Sequence, residues 1–250
     1  MTQLEDPQKT VEQQLTNYLP LFIALVWKSL DLPPPTRAQI AISQYLQNGP
    51  KRLQIQAFRG LGKSWIAAAF VLWTLWIDRD KKILVISASK QRADDFTIFC
   101  QKCILEFDWL AHLRPMDDDQ RWSRVSFDVA GCRPAQAPSV KSVGITGQIT
   151  GSRADLIVFD DVEVPANSAT DFMREKLLQL VTEGESVLTP KKDSRIVFLG
   201  TPQTTFTIYR TLRERNYRPF VWPARYPKDL TGYDEVLAPQ LVQDIQRGAR

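Results

Sequence analysis

The sequence is poor in the residues that form disulfides and metal clusters, with three cysteines and a single histidine among 250 residues. Cys100, Cys103 and Cys132 cannot all pair within one chain, and a cytosolic compartment keeps such thiols reduced. With His112 they could supply four zinc ligands. Cys100 and Cys103 nevertheless fall in a helical pattern, where a spacing of three residues places both side chains on one face. We therefore interpret them as part of a packed helix, with zinc as the less favoured alternative.

Patterns that direct a chain to a membrane are also lacking. The first twenty residues carry Glu5, Asp6 and Glu12 and do not follow the basic-then-apolar order of a signal peptide. The most lipid-like run, from Leu19 to Trp27, is shorter than the ~20 residues of a membrane span and contains Pro20. We expect a cytosolic protein in which this run packs as a helix.

Neither disorder nor extreme charge marks the composition. Apolar residues make up 44% of the chain and charged residues 24%, which is typical of a globular protein with a substantial core. The length suits one large α/β domain with peripheral helices. A net charge of +4 and a pI near 9.0 permit a polyanionic partner but do not establish one.

The stretch 57–64, Ala-Phe-Arg-Gly-Leu-Gly-Lys-Ser, has the character of a phosphate-binding loop. It follows a strand-like run, Leu53 to Phe58, and precedes a helical pattern that begins near Lys63. The usual pattern is G-x-x-x-x-G-K-[ST], and Ala57 stands where the first glycine is expected. The strand–loop–helix context supports the interpretation in spite of this departure.

Each residue type in the loop suits one part of phosphate binding. Gly60 and Gly62 let backbone N–H groups turn toward an anion at the positive end of the following helix. Lys63 is predicted to reach the β- and γ-phosphates, and the hydroxyl of Ser64 to bind a Mg²⁺ ion that bridges them.

A second stretch, 154–163, pairs an apolar strand with acidic residues at its end. Leu156 to Phe159 is predicted to be a buried parallel strand, which places Asp160 close to the phosphate-binding loop. This is a Walker B pattern, in which one carboxylate holds Mg²⁺ and another orients or deprotonates the attacking water. We assign Asp160 to the metal. For the water, Asp161 has the favoured position, whereas Glu163 has the usual residue type, and both remain candidates.

The rest of the chain alternates between helical and strand-like patterns. Thr201 and Gln203 follow a predicted strand, 195–200, at a place where side chains can distinguish bound triphosphate from diphosphate. Further elements are predicted as follows: a helix over 8–30 broken or kinked at Pro20, helices over 36–47 with Thr36 as N-cap, 63–77, 89–106, 167–183 and 206–215, strands over 83–87, 142–146 and 219–222, a strand or hairpin arm over 125–129, a solvated loop at 117–119, and a tail without a closing element.

Taken together, these stretches resemble the N-terminal ATPase domain of a phage DNA-packaging terminase large subunit of the podophage type. The resemblance covers about residues 36 to 227. It rests on Arg59 in the loop, on the acids at 160–163, on Leu-Gly-Thr-Pro-Gln at 199–203 and on Trp-Pro-Ala-Arg-Tyr-Pro at 222–227. A loop that lacks the first glycine is normal in that family. The implied fold is α/β, a RecA-like P-loop NTPase of the ASCE class with a mainly parallel central sheet flanked by helices.

The resemblance also implies roles for named residues. Gln39 would contact the adenine of ATP, Lys63 and Ser64 the phosphates and Mg²⁺, and Thr201 to Gln203 would form a coupling motif. Two arginines are candidates for stabilising the negative charge of the transition state. Arg59 would act within its own subunit, whereas Arg153 would reach the nucleotide of a neighbour in a ring or form a plain salt bridge.

The partners implied by the resemblance are double-stranded viral DNA, the portal ring of the procapsid, the small terminase subunit and further copies in a homo-oligomeric ring. The protein would work in the host cytoplasm, docked transiently on the procapsid, without a membrane. We expect residues 1–35 to be a helical lead-in, 36–227 the motor domain, and 228–250 a linker toward a C-terminal nuclease domain that this sequence does not supply. Another P-loop translocase or helicase, or a non-hydrolysing ATP-dependent scaffold, is the alternative.

Overall fold

Seven strands form one sheet in the computed structural model, which describes residues 7–117, 120–149, 151–225, 227 and 236–247. The order is β3-β4-β2-β5-β6-β1-β7, and every neighbouring pair is parallel except β3 with β4. Their bounds are β1 Arg52–Ala57, β2 Ile83–Ser87, β3 Ser126–Phe127, β4 Val140–Gly144, β5 Leu156–Asp160, β6 Arg195–Gly200 and β7 Arg218–Trp222. The predicted α/β fold with a mainly parallel sheet is confirmed.

Helices cover both faces of this sheet. Their bounds are α1 Pro7–Asn17, α2 Leu19–Ser29, α3 Arg37–Asn48, α4 Lys63–Ile77, α5 Lys90–Glu106, α6 Pro165–Ser168, α7 Asp171–Ser186, α8 Ile208–Glu214 and α9 Pro239–Gln246, with a 3₁₀ helix at Asp108–Leu113. One apolar cluster joins the sheet to α2, α3, α4 and α5, and a second joins it to α7 and α8. In β5, Leu156 and Val158 belong to the first cluster, and Ile157 and Phe159 to the second. The continuous apolar runs of the central strands therefore reflect burial on both faces.

Most predicted elements lie where expected. The first helical region breaks at Tyr18, so Pro20 lies in the first turn of α2, where its missing N–H costs no intrahelical hydrogen bond. Thr36 caps α3 in a reciprocal capping box with Gln39. Ser89 caps α5, and its hydroxyl accepts from the backbone N–H of Arg92.

Three further elements differ from the prediction. The predicted helix over 167–183 is two helices, because the chain turns between α6 and α7 at Ala169 and Thr170. The strand predicted over 142–146 begins two residues earlier as β4, and the alternation over 125–129 yields only the short β3. Asp118, Asp119 and Tyr226, on which parts of the prediction fall, lie outside the described residues.

The expectation of a tail without a closing element is wrong. The helix α9 follows Leu237, which pairs with Val221 of β7 as an isolated bridge, and Leu241 packs against the first apolar cluster. Arg37 at the start of α3 also forms an ion pair of 3.0 Å with Asp244. No residue of α9 is fully buried.

The N-terminal helices belong to the same core as the sheet. Leu15 in α1 accepts a hydrogen bond of 2.8 Å from the indole of Trp73, and Phe22 in α2 packs edge-on against Trp76 and Trp109. None of the helices among the described residues combines the length and apolar character of a membrane span.

Cys100 and Cys103 are buried in α5, as their helical spacing predicts. Burial raises the pKa of both thiols, that of Cys103 to about 12, so they remain protonated. The ring of His112 packs edge-on against that of Trp76, with the ring centroids 4.6 Å apart. The part of the chain that the structure describes contains no group of three His, Cys, Asp or Glu side chains arranged to hold a metal.

Gly200, the last residue of β6, is required by close packing against α8. A Cβ atom at this position would lie 1.5 Å from the hydroxyl oxygen of Tyr209. We predict that Gly200→Ala lowers the free energy of unfolding by at least ~3 kcal/mol, since the fully buried ring must move.

Urea unfolding checks this expectation, with Gly184→Ala as the control. A Cβ atom at Gly184 would meet only side-chain atoms of Ile86 and Phe159 at 2.9 Å, so the destabilisation should be clearly smaller. Equal stabilities of the two variants would contradict the packing argument.

Candidate functional site

The loop 58–62 lies at the carboxyl edge of the sheet, between β1 and α4. Gly60 and Gly62 have φ angles of +88° and +81°, and Gly62 is the N-cap of α4. Side chains other than glycine adopt such backbone only with strain. Ala57 is the last residue of β1 and has extended backbone, so no glycine is needed there. The geometry thus explains why positions 60 and 62 are glycines, whereas Ala57 can replace the first glycine of the usual pattern.

Lys63 is buried at the base of this loop. Its ammonium donates to the carbonyl oxygens of Ala57 and Phe58, each at 3.2 Å, and to the hydroxyl of Thr201 at 2.8 Å. Burial lowers the pKa of Lys63, and the charges of Asp161 and Asp160 oppose that effect. The lysine therefore joins the ends of β1 and β6.

Asp160 is the last residue of β5 and Asp161 follows it, next to the loop. Burial and the neighbouring charge of Asp161 raise the pKa of Asp160 to about 7, while a hydrogen bond from Ser64 and the charge of Lys63 lower it. One carboxylate oxygen of each aspartate, Oδ1, is buried without a hydrogen-bond partner among the described residues. Asp161 has a φ angle of +46°, and its N–H donates to the Leu199 carbonyl at 2.8 Å. Two acceptor oxygens are thus held beside Lys63 and Ser64.

Glu163 is fully buried and has a different environment from the two aspartates. Its Oε1 accepts from the N–H of Gln203 at 2.9 Å. Its Oε2 accepts from the Thr207 hydroxyl and from the Ile208 N–H, each at 2.7 Å. Glu163 therefore holds the segment after β6 and the first turn of α8.

Thr201 and Gln203 connect that segment to the loop. The Thr201 hydroxyl donates to the Ala57 carbonyl at 2.8 Å. The side-chain oxygen of Gln203 accepts from Arg59 at 2.7 Å, and its amide nitrogen donates to the Thr201 carbonyl at 2.7 Å. The two predicted coupling residues therefore contact the two cations next to the cavity: Thr201 contacts Lys63, and Gln203 contacts Arg59.

Gln39 lies beside the loop, but its amide is already engaged. Its Nε2 donates to the Leu61 carbonyl at 3.0 Å, and its Oε1 accepts from the Thr36 N–H at 2.8 Å. A Cβ atom at Gly62 would lie 3.3 Å from the same Nε2. In this state Gln39 supports the loop from α3.

Arg153 is not part of this cluster. It is exposed, precedes β5 at the opposite edge of the sheet, and donates to the adjacent Ser152 carbonyl at 3.0 Å. A separate cavity of about 390 Å³ lies there, lined among others by Ile83, Lys141 and Arg153.

A cavity of about 640 Å³ opens over the loop and the acids. Its lining includes Arg59, Gly60, Gly62, Lys63, Ser64, Asp161, Glu163 and Gln203, which the sequence predicts, and also Trp65 and Arg92, which we did not predict. The sequence feature that indicates Arg92 is its place at the start of a helix that follows a buried strand. Such helices begin at the carboxyl edge of the sheet, where the phosphate-binding loop also lies.

Comparison with known proteins places this site in a family. A family model described as terminase large subunit, T4likevirus-type, N-terminal, matches residues 55–196. The chain belongs to the terminase large subunit family. The matched part of this terminase chain contains the loop and the acids of β5, whereas Gln39 and Thr201 to Gln203 lie outside it. The predicted family is confirmed.

Relatives agree with this assignment. The terminase large subunit of Enterobacteria phage T3 is 50% identical over an alignment of 244 residues, and the match covers 95% of this chain and 41% of that relative. The large terminase of the thermophilic bacteriophage D6E is similar in structure, with a TM-score of 0.50 and 12% identity over 86% of this chain and 50% of that one. The DEAD-box helicase Mss116 has a TM-score of 0.51 and 12% identity over 80% and 41%. At such identities the two structures show the fold alone. The terminase chain spans less than half the length of its T3 relative.

The raised pKa of Asp160 predicts a pH-dependent stability of this terminase chain. Between the ordinary value of 3.8 and about 7, the folded state retains a proton that the unfolded chain has released. The free energy of unfolding therefore falls as the pH rises through this window, and the loss persists above it. Without divalent cations, we expect Asp160→Asn to be more stable than the native chain at pH 8 by ~2–4 kcal/mol, and by progressively less toward pH 4.

Thermal unfolding between pH 4 and 8 measures this difference. Asp95→Asn, at an exposed position of α5, is the matched control and should show no such trend. A stability difference that does not change with pH would contradict the assignment to Asp160.

Proposed function

We propose that this chain is the ATP-hydrolysing motor part of the terminase large subunit and drives double-stranded viral DNA into a procapsid. The observation that carries the proposal is the convergence of Lys63, Ser64, Asp161 and Gln203 around one cavity at the carboxyl edge of the sheet. Asp160 lies beside this cavity and accepts a hydrogen bond from Ser64. These are the groups that bind a triphosphate, hold its metal and orient a water molecule.

The phosphates would bind on the loop and at the first turn of α4. Backbone N–H groups near Gly60 and Gly62 and the positive end of the helix favour an anion there. Lys63 then has to exchange an acceptor of the protein, such as the Thr201 hydroxyl, for a phosphate oxygen, because all of its three donors are occupied. Binding would thus loosen the contact between Lys63 and Thr201.

The residues present fit a Mg²⁺ ion. Ser64 and Asp160 offer oxygen ligands, which this ion prefers, and the buried Oδ1 of Asp160 lacks a partner among the described residues. When bound, the ion would neutralise charge on the β- and γ-phosphates. It would also keep Asp160 ionised, since a nearby cation lowers the pKa of a carboxyl group.

Asp161 is our candidate for orienting and deprotonating the attacking water. Its Oδ1 is unpartnered among the described residues, and the side chain borders the cavity. Glu163 would act differently, because its two oxygens already accept three hydrogen bonds from Gln203, Thr207 and Ile208. We assign Glu163 to positioning the coupling segment.

Arg59 is the candidate for charge stabilisation within the subunit, since it lines the cavity and contacts Gln203. Moving Arg59 onto a phosphate would release Gln203, which gives the coupling segment a means to respond to nucleotide. Arg153 lies at the other edge of the sheet, so a role in hydrolysis requires a neighbouring copy. Gln39 would contact adenine only if its amide left the Leu61 carbonyl or the Thr36 N–H.

The wider assembly belongs to the same proposal. Its partners are double-stranded DNA, a portal ring, the small terminase subunit and further copies in a ring, in the host cytoplasm. We retain in this proposal the division into a lead-in over 1–35, a motor domain over 36–227 and a linker over 228–250, with α2 of the lead-in and α9 of the linker packed against the core of the motor domain.

Lys63→Ala tests the proposed activity. Loss of the phosphate-binding charge should lower the ATPase rate by at least ~10²-fold, since a preorganised charge in such a site contributes about that much. Released phosphate measures the rate, and circular dichroism checks folding. Lys102→Ala, an exposed lysine of α5, is the control and should leave the rate unchanged. An ATPase rate that survives Lys63→Ala would mean that this site does not hydrolyse ATP.

Asp161→Asn and Glu163→Gln separate the two carboxylates. Asparagine tolerates a positive φ angle, so Asp161→Asn should fold normally and lower kcat by ~10²–10⁴-fold. Glu163→Gln places an amide N–H₂ group against backbone and hydroxyl donors, so it should lower the free energy of unfolding by ~1–3 kcal/mol. The kcat of Glu163→Gln should fall less than that of Asp161→Asn. Kinetics and urea unfolding of both variants provide the measurement, and the reverse pattern would identify Glu163 as the base.

A further inference from the structure

Arg92 borders the cavity over the phosphate-binding loop but has no part in the roles proposed above. It lies in the first turn of α5, is exposed, and lines the cavity together with Arg59, Lys63 and Asp161. Its backbone N–H is held by the Ser89 hydroxyl at 3.4 Å, which fixes where the side chain begins. Among the described residues, its guanidinium has no hydrogen-bond or ion-pair partner.

The topology places Arg92 on the wall of the cavity opposite Arg59. The helix α5 follows β2, and β2 lies on one side of β5 while β6 and β1 lie on the other. Asp160 and Asp161 at the end of β5 therefore stand between the two walls.

Of the three cations that line the cavity, Arg92 alone is uncommitted within the described part of the chain. Lys63 uses its three donors on Ala57, Phe58 and Thr201, and Arg59 donates to Gln203. The acids that follow Arg92 on α5 have other partners: Asp94 pairs with Lys90 at 2.5 Å, and Asp95 accepts from Gln91 at 2.9 Å. A guanidinium that is not engaged by the protein, beside acids and a phosphate loop, is suited to an incoming anion.

We propose that Arg92 contacts the terminal phosphate of a bound nucleoside triphosphate from its own subunit and thereby favours triphosphate over diphosphate. This inference rests on the proposed function of the cavity. The terminal phosphate is the part of the ligand that reaches the acids of β5, and Arg92 approaches those acids from the α5 side. Charge on the transferring phosphoryl group is then balanced by Arg92 on one wall and Arg59 on the other.

Calorimetric binding tests the proposal without relying on turnover. The native chain, Arg92→Ala, Arg92→Lys and the control Lys90→Ala are titrated with a non-hydrolysable ATP analogue and, separately, with ADP, both with Mg²⁺. Lys90 is an exposed cation two residues away that does not line the cavity, so its removal controls for net charge. Since the Arg92 side chain is exposed, its truncation should not prevent folding, and thermal unfolding verifies this.

We expect Arg92→Ala to bind the triphosphate analogue about tenfold or more weakly, with less than about a twofold change for ADP. Arg92→Lys should be intermediate, because a lysine keeps the charge and loses the planar fork. Unchanged analogue binding, or an equal loss for both ligands, would overturn the contact with the terminal phosphate. Failure of the native chain to bind either nucleotide would instead refute the proposed function itself.

Discussion

The arrangement of the site depends on one buried cation. The ammonium of Lys63 holds acceptors from the end of β1 and from Thr201 after β6, and faces the acids after β5. A charge removed from water is tolerated only when each donor has an acceptor and countercharge is near. The ends of β1 and β6 are therefore tied to a single nitrogen atom. Any anion that binds the loop must compete with the protein for this atom, which makes the positions of the strand ends sensitive to the ligand.

Glu163 forms the complementary anionic centre. It is fully buried and holds Gln203, Thr207 and Ile208, whereas Gln203 in turn holds Arg59 of the loop. A continuous chain of hydrogen bonds thus runs from the phosphate-binding loop through the segment after β6 to α8. Since one end of this chain is a cavity-lining arginine, a change there can be passed to a helix that lies outside the cavity.

Much of this was predictable from local sequence. The apolar runs of β2, β5 and β6 follow from burial on both faces of a parallel sheet, and Thr36 and Ser89 are N-caps because their hydroxyls accept backbone N–H groups. The helix α9 and the break between α6 and α7 were missed, although α9 is amphipathic and Thr170 is the N-cap of α7. Family resemblance supplied candidates such as Gln39 and Arg153, whose positions no periodicity determines.

The sequence by itself determined the chemistry that is available: a loop with two obligatory glycines, a lysine, a serine and a run of acids after a buried strand. The tertiary structure decided which of these groups are free to act. Among the described residues, Oδ1 of Asp160 and of Asp161 has no hydrogen-bond partner, whereas both oxygens of Glu163 accept hydrogen bonds. The fold also places Arg153 at the opposite edge of the sheet and brings Arg92 to the cavity. Residue spacing reports only neighbours along the chain, whereas hydrogen-bond partners and burial are set by segments distant in sequence, such as Glu163 with Gln203 and Arg59 with Gln203.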